Sequence, residues 1–268
     1  MLILLPPSEG KNFTYEGENL SPVDLEKLPF TQLTTTRIKI LEELEQLGSS
    51  DEALKILKLN SPKRSEAATH KYLTTAGARA ANLVYTGVLY SAADWINWPE
   101  NEVSQRTFVV SALWGLVRPS DKILPYRLSM GVKLPQNGSL KAIWKKEITP
   151  VLNEISRGNV VVDMRSSDYQ AVWPPTAKTA KTCGCIFVTV RVIRIVNGQE
   201  KVVSHNAKHA RGELAGYLVR KNKMLQTAEE ILEQAKALAQ NPDSSIIDAR
   251  LEKSSADGQV QILTLQTS

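Results

Sequence analysis

Four segments of this chain set residues capable of acid–base or anion chemistry directly beside short apolar runs. The first is Pro6-Pro7-Ser8-Glu9-Gly10-Lys11, which follows the apolar residues 2–5. It ends in Gly-Lys but lacks the leading glycine and the trailing Ser/Thr of a nucleotide-gripping P-loop. Lys11, with Ser8 beside it, is therefore read as a single phosphate contact and not as part of an NTPase, with a plain surface lysine as the alternative. The second segment, residues 113–131, mixes glycine and proline with Arg118, Tyr126 and Arg127. Arginine beside tyrosine in an irregular loop suits a forked grip on phosphate or stacking against a base. The competing reading is a structural loop whose arginines pair with acids such as Asp121. The third segment follows residues 160–164 and carries Asp163, Arg165, Ser166 and Tyr169. These fall where the carboxyl edge of a sheet collects ligands, although an Asp/Arg pair is as often structural. The fourth, residues 204–212, holds Ser204, Lys208 and Arg211, the last two three apart and so on one helix face. His205 and His209 are four apart, but the only other histidine is His70, so no metal site is expected. No Gly-x-Ser-x-Gly elbow or cysteine nucleophile box is present, and no cofactor is expected. Cys183 and Cys185 would point to one face of a strand, where a bridge is strained, so they are read as buried, inert thiols of a reducing cytosol, with a redox role for the pair as the alternative.

The elements that must position these residues follow from hydrophobic spacing. Residues 2–5, 108–113 and 160–164 are continuous apolar runs typical of buried strands. Residues 186–196 alternate, Asn197-Gly198 offers a hairpin turn, and residues 201–204 return. A second hairpin is expected at 246–251 and 259–265. Helical stripes occupy 37–47, 51–59, 65–73, an alanine-rich 75–85, 207–221 and 227–239. The clearest helix is 140–155, where Pro150 predicts a kink or a break. With strands and helices alternating irregularly, the expected class is α/β (α+β): a mixed sheet surrounded by helices in one domain, residues 1–268. No run of 18 apolar residues exists, so no membrane span is predicted. The apolar start is too short for a signal peptide, and a cytoplasmic location is expected.

The net charge is +5 over 268 residues, but it is unevenly spread. Residues 176–223 carry ten basic side chains against Glu200 and Glu213 alone. Residues 113–147 carry seven against two, whereas the tail from 224 onward is acidic. This asymmetry points to an anionic partner, with scattered solvated lysines as the plain alternative.

Taken together, the segments resemble the YaaA peroxide-stress protein family. The matching pieces are LILLPPSEGK, LVYTGVLY, SALWGLVRPSDKILPYRLSMG, IWKKEITPVLNE, VVVDMRSSDY and VVSHNAKHARG, in the family's order, over residues 1 to about 238. The first loop departs from the better-known branch, which has Ser-Pro-Ala-Lys where this chain has Pro-Pro-Ser-Glu-Gly-Lys. The resemblance implies a basic cleft, duplex DNA binding, and a helix-hairpin-helix-like element within residues 37–85. It also implies a role in limiting oxidative damage by lowering free intracellular iron. Carried over by segment, the family's site falls on Ser8, Lys11, Tyr85, Thr86, Arg118, Pro119, Tyr126, Arg127, Ser204, Lys208, Arg211 and Gly212. Two functional readings share this basic face. One is a DNA-binding stress protein without turnover. The other is an enzyme acting on a nucleotide or nucleoside, with Lys and Arg holding phosphate and a tyrosine or Asp163 moving a proton.

Overall fold

Four consecutive apolar residues leave a strand no polar face, so Leu2–Leu5 must be covered on both sides. In the computed structural model they form β1, a wholly buried interior strand of the sheet. The structure describes residues 1–13, 20–202 and 204–268, without the side chains of Ser204 and His205. Strands β2 (Thr107–Ser111), β3 (Gly115–Val117) and β4 (Val160–Asp163) are likewise buried along their length. β2 and β4 flank β1, both parallel to it, and β3 folds back antiparallel on β2. β5 (Ile186–Val196) lies parallel to β4, and β6 (Gln199–Val202) returns along its far half. The turn between them uses Asn197 and Gly198 at φ 53° and 75°, the left-handed region that a tight hairpin demands. The second hairpin, β7 (Ile246–Lys253) and β8 (Val260–Thr267), adds to the sheet by laying β8 parallel to β5. Among the described residues the order is β7-β8-β5-β4-β1-β2-β3, with β6 on β5 making eight strands. The mixed α/β class expected from the sequence is what forms.

Five parallel strands therefore deliver their carboxyl ends to one edge, and the loops after β1, β2 and β4 emerge side by side there. Around the sheet pack α1 (Thr34–Leu47), α2 (Asp51–Leu57), α3 (Val88–Ala92), α4 (Leu140–Ile155), α5 (Ala177–Cys183), α6 (Ser204–Lys221) and α7 (Ala228–Ala239). Ser50 caps α2 by accepting from the Ala53 N–H, and Thr227 caps α7 in a capping box with Glu230. α4 runs unbroken through Pro150 and buries Trp144, Ile148, Val151 and Leu152.

The alanine-rich segment 75–85 departs from its expected helix, which forms only at Ala81–Val84. Upstream, the Ala78 N–H donates to the Ser21 carbonyl, and Arg79–Ala80 pair antiparallel with Lys122–Ile123. Backbone pairing with distant chain outweighs alanine's preference, which is worth only tenths of a kcal/mol per residue, about 0.7 at most among ordinary residues.

Candidate functional site

The loop after β1 is pinned to residues 84–90. Thr86 N–H donates to Gly10 O (3.1 Å), Asn12 N–H to Val84 O (2.9 Å), and the Tyr90 hydroxyl to Pro6 O (2.6 Å). Lys11 pairs with Tyr85 as an isolated β-bridge, which turns its side chain under the loop. Its Nζ donates to the Ser8 carbonyl at 2.6 Å and stands 4.4 Å from the Tyr126 ring centroid and 5.6 Å from that of Tyr85. Among the described residues no carboxylate hydrogen-bonds to it. Burial, aided by the nearby Arg127 charge, brings the Lys11 amine down to about 7, with Glu9 and Glu66 only partly compensating. The group can thus be an ammonium or a free amine near neutral pH.

Beneath Lys11 the hydroxyls form a chain whose direction can be assigned. Ser111 Oγ accepts from the Trp114 N–H (2.9 Å) and the Leu113 N–H (3.2 Å), which occupies both of its acceptor positions. Its proton therefore goes to Tyr126 Oη at 2.7 Å, and Tyr126 in turn donates to Tyr85 Oη at 3.2 Å. Among the described residues the Tyr85 hydrogen, at the end of the chain, has no acceptor. Burial, and then the neighbouring Tyr90, push the Tyr85 phenol far above its usual value, so it serves as a donor and not as a base. Tyr90 stacks on Tyr85, with centroids 5.5 Å apart.

Arg127 forms the second wall. Its Nε pairs with Glu66, one terminal nitrogen donates to the Glu9 carbonyl, and its guanidinium lies 5.1 Å from the Phe13 ring centroid. Its backbone N–H donates to His70 Nε2 at 2.9 Å, which requires that nitrogen to be unprotonated. Burial, then the charges of Arg127 and Lys11, lower His70 to about 4, so the imidazole stays neutral. Burial raises the Glu66 carboxyl, but the Arg127 and Lys63 hydrogen bonds outweigh it and leave Glu66 below the usual carboxylate range.

The structure thus gathers Ser8, Lys11, Tyr85, Tyr126 and Arg127, which lie up to 119 residues apart, at the carboxyl edge. Thr86 is exposed beside them, its backbone bonded to Gly10. Asp163 is placed differently from the expectation that it joins the pocket. Its carboxylate takes two hydrogen bonds from Arg165 (2.8 and 2.7 Å), and both side chains are fully buried. Arg165 also donates to the Tyr169 and Trp173 carbonyls, so the pair fixes the turn after β4. Ser166 sits exposed on that turn. Arg211 is half-buried and donates to Val190 O (2.8 and 3.3 Å), and burial lowers it although the Asp163 charge works against this. Lys208, one turn earlier on α6, is exposed and makes no ion pair among the described residues. The side chain of Ser204 lies outside the described residues.

Arg118 is not brought to this edge. Because β3 runs antiparallel to β2, with Val117 opposite Val109, Arg118 ends at the start of β2. There its Nε donates to Gln105 O (3.2 Å), and its guanidinium covers the Phe108 ring. Asp121 does meet Arg118, but through the backbone N–H (2.6 Å).

His70, Glu66, Ser111 and Tyr90 contribute to the site without having been singled out. Their traces in the sequence are Tyr90, which ends LVYTGVLY five residues after Tyr85, and Ser111, which opens SALWGLVRPSDKILPYRLSMG. A shallow groove of about 540 Å³ adjoins the site, lined by Gly87, Val88, Ser91, Ala92 and His209. Gly87 lies against Ser8, and α6 closes the groove's other side.

The sequence profile of a family described as "Peroxide stress protein YaaA" matches residues 1–238. A UPF0246 protein of Streptomyces coelicolor is 40% identical over 224 residues, covering 82% of this chain and 83% of its own. UPF0246 proteins of Corynebacterium glutamicum and Shewanella baltica are 38% and 30% identical, over 88% and 82% of this chain and 92% and 86% of theirs.

Proposed function

This chain belongs to the peroxide stress protein YaaA family, and from that premise we propose that its carboxyl-edge site binds the phosphate of a nucleotide and acts on it. The observation that carries this reading is a cation with no paired anion among the described residues: Lys11 Nζ has the Ser8 carbonyl and two aromatic faces beside it, Arg127 adjacent, and Glu9 and Glu66 acting on it only through space. A phosphate would supply the missing charge, accept from both residues, and receive the spare Tyr85 hydrogen. The base would lie in the groove beside Gly87 and Val88. Lys11 then has two uses at one pH: as ammonium it holds the phosphate, and as amine it takes a proton from an attacking group.

Calorimetric titration with a panel of mononucleotides tests this. A nucleotide should bind, Lys11→Met should weaken it by about tenfold or more, a charged hydrogen bond being worth about 1.5–3 kcal/mol, and affinity should fall as pH rises past about 7, where the amine discharges. A panel with no binder at millimolar concentration would end the proposal.

A second reading, duplex DNA binding, draws on different residues. Lys208 on α6, Arg194 on β5 and Lys201 on β6 are exposed and make no ion pair among the described residues. In this reading the helix pair α1 and α2, joined at residues 48–50, is the helix-hairpin-helix-like element. Lys208→Ala should weaken duplex binding equally across sequences and reduce the salt slope by roughly one. Binding that ignores salt would dismiss it. An effect on free iron would, in either case, be indirect.

A further inference from the structure

Both cysteines are buried, as the sequence suggests, but their thiols face each other. Cys183 is the last residue of α5, Gly184 turns the chain at φ 66°, and Cys185 stands just before β5. This turn, unlike the continuous strand read from the sequence, swings the two thiols together: Sγ to Sγ is 2.8 Å, and both cysteines are free. A disulfide needs about 2.05 Å, so closure asks for less than about 1 Å of movement at a glycine-containing turn. The turn is held at the amino edge of the sheet by Cys185 N–H to Ala180 O (3.1 Å) and Gly158 N–H to Gly184 O (2.9 Å). The cysteines are buried, and their chain neighbours Lys181, Thr182 and Gly184 are exposed, so in sequence the pair lies close to the surface. Ser156 adjoins the pair with its hydroxyl fully buried and, among the described residues, without a partner that meets hydrogen-bond geometry. The two thiols are also unequal. The Cys185 hydrogen bond lowers Cys183, whereas Cys185 is raised by that same contact.

We propose that Cys183 and Cys185 form a peroxide-oxidisable dithiol, with Cys183 as the attacking sulfur and Cys185 as the resolving one. The Cys183 thiolate attacks one oxygen of hydrogen peroxide. The O–O bond breaks, hydroxide leaves and is protonated to water, and Cys183 becomes a sulfenic acid. Cys185 sulfur then attacks Cys183 sulfur, the S–O bond breaks, and the second oxygen departs as water with the Cys185 proton. Two thiols and one peroxide give one disulfide and two waters, with sulfur oxidised and peroxide reduced. The site lies at the sheet edge opposite Lys11, so it stands or falls apart from the nucleotide reading.

Intact-mass analysis of the native protein after hydrogen peroxide treatment tests it. The expected result is loss of two hydrogens and of both alkylatable thiols within one chain, reversed by dithiothreitol. Cys185→Ser should stop at a sulfenic acid on Cys183 that dimedone traps. Cys183→Ser should leave Cys185 reacting about tenfold or more slowly, since thiolate is the nucleophile. Thiols that survive peroxide, direct passage to sulfinic acid, a bridge between two chains, or first reaction at Cys185 would each overturn the proposal. The wild-type mass measurement decides it even where a variant fails to fold.

Discussion

Burial works against Lys11, and this makes its cost measurable. Unfolded, the amine keeps its proton up to about pH 10.5, whereas folded it releases it near 7. Between those values the unfolded chain binds more protons, so this residue's contribution makes stability climb with pH. Lys11→Met should therefore be more stable than wild type at pH 7 and below, by up to a few kcal/mol, each pKa unit being worth about 1.4. The gap should close towards pH 10, as read by urea unfolding of both proteins across the range. A constant gap would mean that Lys11 is not desolvated in the free protein. At this scale the sequence is a partial guide. Lys11, Tyr126 and Arg127 were legible because unusual residue types cluster after apolar runs. His70 was not, since a lone imidazole with no metal partners signals nothing until Arg127 is seen to bond to it. Asp163 looked like a pocket acid, and only its geometry with Arg165 identifies it as a structural anchor.

Among the elements, the contact of α6 with α3 controls the groove beside the site. Gly212 and Gly216 bring α6 down onto the Leu89 and Ala93 carbonyls, and a Cβ at either position would collide with that oxygen. Gly212→Ala should push the helices apart and cost about 1–3 kcal/mol, the usual range for overpacking. Thermal denaturation would show it, and an unchanged midpoint would mean that the helices can separate freely. Because Val88 and His209 line the groove from the two sides, ligand affinity should drop in the same variant. The spacing of apolar residues disclosed α6 and α4 but not why α6 carries two glycines, because a close approach depends on the partner helix. It also overstated the helix at 75–85, where pairing of Arg79–Ala80 with Lys122–Ile123 decided the outcome.

Across the whole molecule, the sheet class could be read from strand patterning, but the order of strands could not. Parallel neighbours such as β1 with β2 are separated by about a hundred residues, and no local signal records that pairing. The β7–β8 hairpin lies beyond the residues matched by the family profile, yet β8 pairs with β5 through eight positions. A chain ending at Gln240 should leave β5 as an open edge and self-associate, which light scattering would detect. A monodisperse, stable monomer would show the hairpin to be dispensable. The aromatic packing around the site has an optical consequence. Of five tryptophans, Trp95 stands edge-on to Tyr90 (5.0 Å) and Trp114 edge-on to Tyr126 (6.5 Å). Any occupant that shifts those phenol rings alters the surroundings of an indole, so near-ultraviolet emission from the unlabelled protein reports on the pocket without an added dye.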